Sequence, residues 1–181
     1  MALLTIQQQQ AIKPISPNWA SYIKFIGGKT NFEQLEIEVE EKEFKILLGL
    51  AFSQDIQNNP STTDNLILLD GGTYTNLNND LIYFKGLRYI LAYMIYSSYI
   101  IESGISDTFT GMVKKNREEA ESLSLGEKKI LQQNVRQIAL QEFEIIKDFL
   151  CLNKSKYPLW RLYQTKQVYT PKIYGIKRTI L

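Results

Sequence analysis

Apolar residues recur at helical spacing along three stretches of the chain and at alternating spacing in a fourth. Phe32, Leu35, Val39, Phe44, Leu47 and Leu48 follow a Thr30/Glu33 capping-box pair and predict a helix over residues 31–48. Gly49 ends it, residues 50–57 form a short second helix that stops before Asn58-Asn59-Pro60, and residues 62–69 form a third. Asp70-Gly71-Gly72 is a turn. Thr73-Tyr74-Thr75 and Leu81-Ile82-Tyr83-Phe84 then flank an Asn/Asp-rich loop, which predicts a β-hairpin. Gly86 opens a hydrophobic helix over residues 87–102. Ser124 with Glu127 opens the longest helix, reaching about residue 152, with Leu131, Val135, Ile138, Ile145, Phe149 and Leu152 on one seam. The most apolar run, residues 89–101, is 13 residues long. Crossing a bilayer takes about 20, so this run is a buried helix and no membrane is expected as a partner.

The segments between and beyond these helices read differently. Residues 1–30 mix a glutamine run with Pro14, Pro17 and Gly27-Gly28, and predict an extended or irregular arm anchored by Trp19, Tyr22, Phe25 and Ile26. Residues 103–116 form a long loop or second extended excursion. The expected architecture is mainly α: a helical bundle with a small β-hairpin or extended loop excursion, an N-terminal arm (1–30), a helical domain (31–153) and a C-terminal tail (154–181). At 181 residues this is one domain with extensions.

Charge sharpens that division. Residues 154–181 contain no acid and seven basic side chains, whereas residues 1–153 carry 14 basic against 19 acidic ones, a net −5. The tail interleaves Arg161, Lys177 and Arg178 with Tyr157, Trp160, Tyr163, Tyr169 and Tyr174, and Pro158 and Pro171 disfavour a continuous helix. Aromatic anchors with cations suit an acidic protein groove; they also suit nucleic acid, through phosphate contacts and stacking. Protein docking is the preferred reading in the absence of a nucleic-acid motif.

Candidate chemistry is sparse. The chain has no histidine and one cysteine, Cys151, which removes Ser-His and Cys-His nucleophile pairs, histidine-ligated metals and disulfide frameworks. Composition therefore argues against an enzyme, and neither a cofactor nor a metal is expected. Gly28-Lys29-Thr30 matches the end of a phosphate-binding loop, but Ile23 stands where that loop requires its first glycine. The carboxylates Glu33, Glu36, Glu38, Glu40, Glu41 and Glu43 read as a solvated helical face rather than a metal cluster. Tyr89, Tyr93, Tyr96 and Tyr99 fall on one helical stripe, which reads as core packing with wet hydroxyl tips in preference to a ligand cage. No secretory signal opens the chain, so synthesis in the cytosol is expected.

Several segments, taken in order, resemble one known family. These are Glu43-Phe44-Lys45-Ile46-Leu47-Leu48-Gly49 with Ala51-Phe52, Leu68-Leu69-Asp70-Gly71-Gly72-Thr73-Tyr74, Lys85-Gly86-Leu87-Arg88 leading to Tyr99-Ile100, and Asp107-Thr108-Phe109-Thr110-Gly111-Met112-Val113-Lys114-Lys115. They are similar to head-to-tail connector (adaptor or ring) proteins of tailed bacteriophages of Bacteroidales, including the crAss-like group. The resemblance covers residues 32–152 and rests on packing and turn residues. It implies a non-enzymatic virion protein at the head-tail junction, present in the host cytoplasm during assembly. Such a protein would form a cyclic ring of about a dozen copies against the portal protein and adjoining neck or tail ring proteins, with DNA passing through its channel without sequence-specific contact. Within that expectation, Tyr157, Trp160, Arg161, Tyr163, Tyr169, Pro171, Tyr174, Ile176, Lys177 and Arg178 are candidate partner-docking residues. Asp107, Phe109, Met112, Lys114 and Lys115 are candidates for an inter-subunit loop.

Overall fold

The two capping-box pairs start helices as their chemistry requires. In the computed structural model, which describes residues 3–22, 28–103, 124–160 and the backbone of 105–108 and 111–114, Thr30 Oγ1 accepts from Glu33 N at 3.2 Å and the Glu33 carboxylate accepts from Thr30 N at 2.8 Å. Ser124 and Glu127 repeat the exchange at 3.2 and 2.7 Å. These bonds satisfy N–H groups that a first helical turn leaves without partners. They also hold both carboxyls below their ordinary range.

The chain is mainly α with small antiparallel hairpins. In order it forms α1 (Ile6–Ile12), α2 (Pro17–Ala20) and α3 (Asn31–Val39), which runs through a π-helical turn (Glu40–Phe44) into α4 (Lys45–Leu48). After these come α5 (Leu50–Asn58), α6 (Thr63–Asp70), β1 (Gly72–Thr75), β2 (Leu81–Phe84), α7 (Leu87–Glu102), β3 (Ile105–Thr108), β4 (Gly111–Lys114) and α8 (Leu125–Leu152). β1 pairs with β2, placing Thr73 opposite Tyr83 and Thr75 opposite Leu81. β3 pairs with β4.

α7 is the central helix, packed lengthwise on α8 and touched by α1, α3 and α6. Its side chains Leu87, Ile90, Leu91, Met94 and Ile95 are buried, and α8 meets them with Ala139, Phe143, Ile146 and Leu150. Burial of such side chains contributes roughly 1.5–3 kcal/mol each, which is what holds these two helices together. Aromatic rings close the far end of the core. Phe84 stacks on Phe149 at 4.6 Å, and Trp160 lies 6.1 Å from Phe52 and 6.3 Å from Phe143.

Three expectations need correction. Residues 1–30 are not simply an extended arm: Thr5 and Gln8 form a capping box that starts α1, and Leu3, Leu4, Ile15 and Ala20 enter the core. The glutamine run is helical with Gln9 turned into the core, where its amide nitrogen donates to Lys13 O at 2.7 Å and Ala92 O at 3.2 Å. The helix over residues 31–48 is not uniform, since the π turn inserts one extra residue into its winding. Finally, the boundary drawn at residue 153 falls inside the body, because Tyr157 and Trp160 are buried there.

Candidate functional site

Two glycines bring the hairpin's ends together. Gly71 and Gly86 have φ of 91° and 81°, in the region L side chains avoid. A Cβ on Gly86 would lie 2.4 Å from both Gly71 N and Leu69 O, and one on Gly71 would lie 2.4 Å from Phe84 O. Backbone crosses backbone at this point, so only glycine fits in either strand of the crossing. The crossing sets Asp70 beside Arg88, whose guanidinium pairs with the Asp70 carboxylate while Nε donates to Leu3 O at 2.9 Å. It also aims Lys85 at Glu142 of α8, at 2.8 Å, and over the Tyr89 ring at 4.4 Å from its centroid. The hydrogen bond to Glu142 raises the Lys85 ammonium above its ordinary range.

α1 lies across this junction and leaves an open cleft of about 460 Å³. It is lined by the apolar side chains of Ala11, Ile12 and Leu69, by Gln8, Tyr83 and Tyr89, and by Asp70, Lys85 and Arg88. Both cations are already paired, so the cleft presents surface for packing rather than charge for binding an anion. Among the described residues no group of three or more His, Cys, Asp or Glu side chains is placed to hold a metal ion, and no helix is long and apolar enough to cross a membrane.

The start of α1 is fixed by two buried carboxylates. Glu36 Oε1 accepts from Leu4 N at 3.0 Å; Glu40 accepts from Leu3 N at 3.2 Å through Oε1 and from Gln57 Nε2 at 2.8 Å through Oε2. Glu36 and Glu40 were expected on a solvated face with the other four acids. They are buried instead, because they share the inward stripe of Phe32, Leu35 and Val39. Burial pushes Glu36 up to about 7 against the opposing Leu4 N–H, with Glu40 and Glu33 adding to the rise. Glu40 is raised by the same cause, and the bonds from Leu3 and Gln57 oppose it.

Between pH 4.5, the ordinary value, and about 7, folded Glu36 therefore holds a proton that the unfolded chain has released. Its contribution to stability is full below that window and lost as pH rises through it. Glu36→Gln keeps the acceptor for Leu4 and removes the charge. Denaturant unfolding at pH 8 should find the variant more stable than the parent by about 1–3 kcal/mol, with the difference vanishing near pH 4. An equal difference at both pH values would refute the assignment.

The tyrosine stripe is covered from within. Tyr89 and Tyr93 stack at 4.4 Å, Lys13 Nζ sits 5.3 Å from the Tyr93 centroid and 4.8 Å from that of Tyr96, and Trp19 meets Tyr99 edge-on at 4.8 Å. Ser16 N donates to the Tyr99 hydroxyl at 3.3 Å. The stripe is thus the seat of residues 13–19, held by aromatic contacts and by cation–π attraction of about 0.5–1 kcal/mol per exposed pair.

Two apolar faces carry no cover from the described residues. Side chains alternate along the first hairpin. Tyr74 and Phe84 point inward, where the Tyr74 hydroxyl donates to Ile145 O at 3.3 Å. Leu81 and Tyr83 point outward beside Thr75 and Thr73, 73% and 63% exposed, with Leu77 at the tip 87% exposed. The second face is on α8. This helix has 28 residues, a length of about 42 Å at 1.5 Å per residue, yet it buries nothing before Val135. Leu125, Ile130, Leu131 and Ile138 are exposed there, and Arg136 ties the helix to Glu43 of the π turn at 2.7 Å.

The sequence-predicted docking residues divide three ways. Tyr157 and Trp160 serve this chain's own core, not a partner: the Tyr157 hydroxyl donates to Asp64 O at 2.8 Å, and burial raises its phenol. Arg161, Tyr163, Tyr169, Pro171, Tyr174, Ile176, Lys177 and Arg178, with Phe109 and Lys115, lie outside the described residues. Asp107 and Met112 are opposite one another in the β3–β4 ladder, and Lys114 is opposite Ile105. Sequence reasoning missed the Glu36/Glu40 clasp, although its signal was present as two carboxylates four apart inside an apolar stripe.

The profile of a family of unknown function, DUF6712, matches residues 44–169, from the end of the π turn past Trp160. No curated protein and no solved structure matches the chain.

Proposed function

The chain belongs to the DUF6712 family, of unknown function, and from that premise we propose a role drawn from its own sequence and surfaces: a structural subunit of a tailed-bacteriophage neck. Copies form a ring that joins the portal to the tail and extends the DNA channel. The observation that carries this reading is the pair of uncovered apolar faces, on the first hairpin and on the free half of α8. Closed rings are built from two different faces per subunit, repeated around an axis. The ordered segments that resemble connector proteins support the same role. They include the glycine crossing, which makes a rigid root for the hairpin.

The acid-free segment from residue 161 onward carries Arg161, Lys166, Lys172, Lys177 and Arg178 with Tyr163, Tyr169 and Tyr174. In this role it reaches the portal or an adjoining ring, with acidic surface as its complement. Quantitative mass spectrometry of purified particles of the source phage should count about a dozen copies of the chain, or a small multiple. Hundreds of copies would make it a capsid or tail-tube component, and absence from the particle would end the neck reading.

The same basic aromatic segment supports a second reading, a small phage nucleic-acid-binding or regulatory protein. It requires affinity for a random oligonucleotide that falls steeply with salt as counterions are released. No binding at low salt would remove it.

A further inference from the structure

We propose that the outward face of the β1–β2 hairpin in one copy seats on the exposed N-terminal half of α8 in the next copy. This contact rests on the ring reading and specifies which surfaces make it. A sheet or a helix with an apolar face must bury it against another element. Here each element has buried only part of what it offers. The hairpin has covered its inner side with α8, leaving Leu77, Leu81 and Tyr83 outside; α8 has covered its second half, leaving Ile130, Leu131 and Ile138.

One copy cannot join its own two faces. The hairpin is anchored to α8 at Ile145, through Tyr74, and at Phe149, through Phe84. Ile130 lies fifteen residues back along the same helix, about 22 Å away. Leu81 and Tyr83 point away from that helix, because they alternate with the residues that touch it. Among the described residues neither face meets its complement within one copy, whereas a second copy supplies both complementary surfaces at once.

Charge agrees with this pairing. The hairpin's one ionised side chain is Asp80, exposed at its tip. The free half of α8 carries Lys128 and Lys129 against one carboxylate, Glu127, with Arg136 paired to Glu43, so its charge is net positive. A carboxylate facing two lysines steers the hairpin onto the helix and disfavours hairpin against hairpin or helix against helix. The contact joins unlike surfaces, so it propagates from copy to copy and closes when its rotation divides a full turn.

Cysteine cross-linking of the purified full chain tests the contact. In a Cys151→Ala background, Leu81→Cys and Ile130→Cys are made separately, checked for folding by circular dichroism, and treated with a short bismaleimide alone and mixed. The mixture should give a product of twice the 21.0 kDa chain mass, each variant alone should give none, and the double variant should give a ladder. Cross-linking of either single variant with itself would overturn the proposal in favour of a two-fold dimer. Failure of the mixture to react would overturn it as well. The particle count tests the neck reading separately. A chain present at ring number without the mixed product keeps the neck role and loses this contact; the converse result keeps the contact and loses the role.

Discussion

A chain cut after Trp160 should melt within a few degrees of the full chain, whereas one cut after Lys156 should lose most of its stability. The difference is two aromatic side chains. The Tyr157 ring sits 6.0 Å from Phe52 and 5.9 Å from Phe149, and its hydroxyl closes a 2.8 Å bond to Asp64 O. Trp160 is buried between Phe52 of α5 and Phe143 of α8. Removing one such residue from a core costs about 3–5 kcal/mol. Natural domains have about 5–15 kcal/mol in total, so losing both leaves little. The Lys156–Asp64 pair at 3.9 Å is exposed on both sides and adds almost nothing. Thermal melting by circular dichroism decides the matter. If the shorter chain melts with the parent, residues 157–160 are not part of the fold. The longer truncation then becomes the proper reagent for asking whether the basic segment is needed for incorporation into particles.

Gly86→Ala should damage the fold severely. At that position the added carbon meets the backbone of Leu69 and Gly71, at the end of α6, at 2.4 Å, and no side-chain rotation relieves the overlap. The positive φ adds strain of its own. The expected loss is about 4 kcal/mol or more, in the range reserved for a few specific mechanisms. Two other glycines calibrate the claim. Gly28 has φ of 69° but open space around it, so Gly28→Ala carries conformational strain alone, about 1–2 kcal/mol. Gly126 lies in the first turn of α8 with its nearest neighbour at 3.9 Å, and alanine there should raise stability by up to about 1 kcal/mol. Urea unfolding of the three variants should rank them in that order. A Gly86→Ala chain as stable as Gly28→Ala would mean that the crossing opens without cost and does not fix the hairpin.

The parts of the fold legible in the sequence are those whose signals are local. Thr30/Glu33 and Ser124/Glu127 mark helix starts by hydrogen bonds within four residues. α7 is bounded by Gly86 and filled with apolar residues, and the first hairpin is bracketed by glycine and asparagine. What stayed hidden depended on distant partners or on counting. The π turn at Glu40–Phe44 shifts the winding by one residue, which an apolar pattern of helical spacing absorbs without a visible break. The glutamine run read as part of an extended or irregular arm because Gln9 finds an acceptor 83 residues away, at Ala92. Tyr157 and Trp160 were grouped with the basic tail by composition, yet they lie one turn beyond the end of α8 and still face Phe149 and Phe143. At the cleft, the glycine pair was visible as a motif, but the meeting of Asp70 with Arg88 follows from the backbone crossing and not from any spacing.

The hydrogen bonds at the two ends of the body also bear on how the molecule is made. Arg88 reaches Leu3 across 85 positions of chain, and Tyr157 reaches Asp64 across 93. The central helix can bury its faces only when α1, early in the chain, and α8, late in it, have both arrived. On a ribosome, which releases the chain from its N-terminus at roughly 5–20 residues per second, the first twenty residues wait several seconds for their seat on α7. Closures of such long range slow the search for the native state. The nascent chain therefore exposes its apolar helices until Trp160 emerges, and that interval is when it is most open to capture by a chaperone or to wrong association with a neighbouring copy.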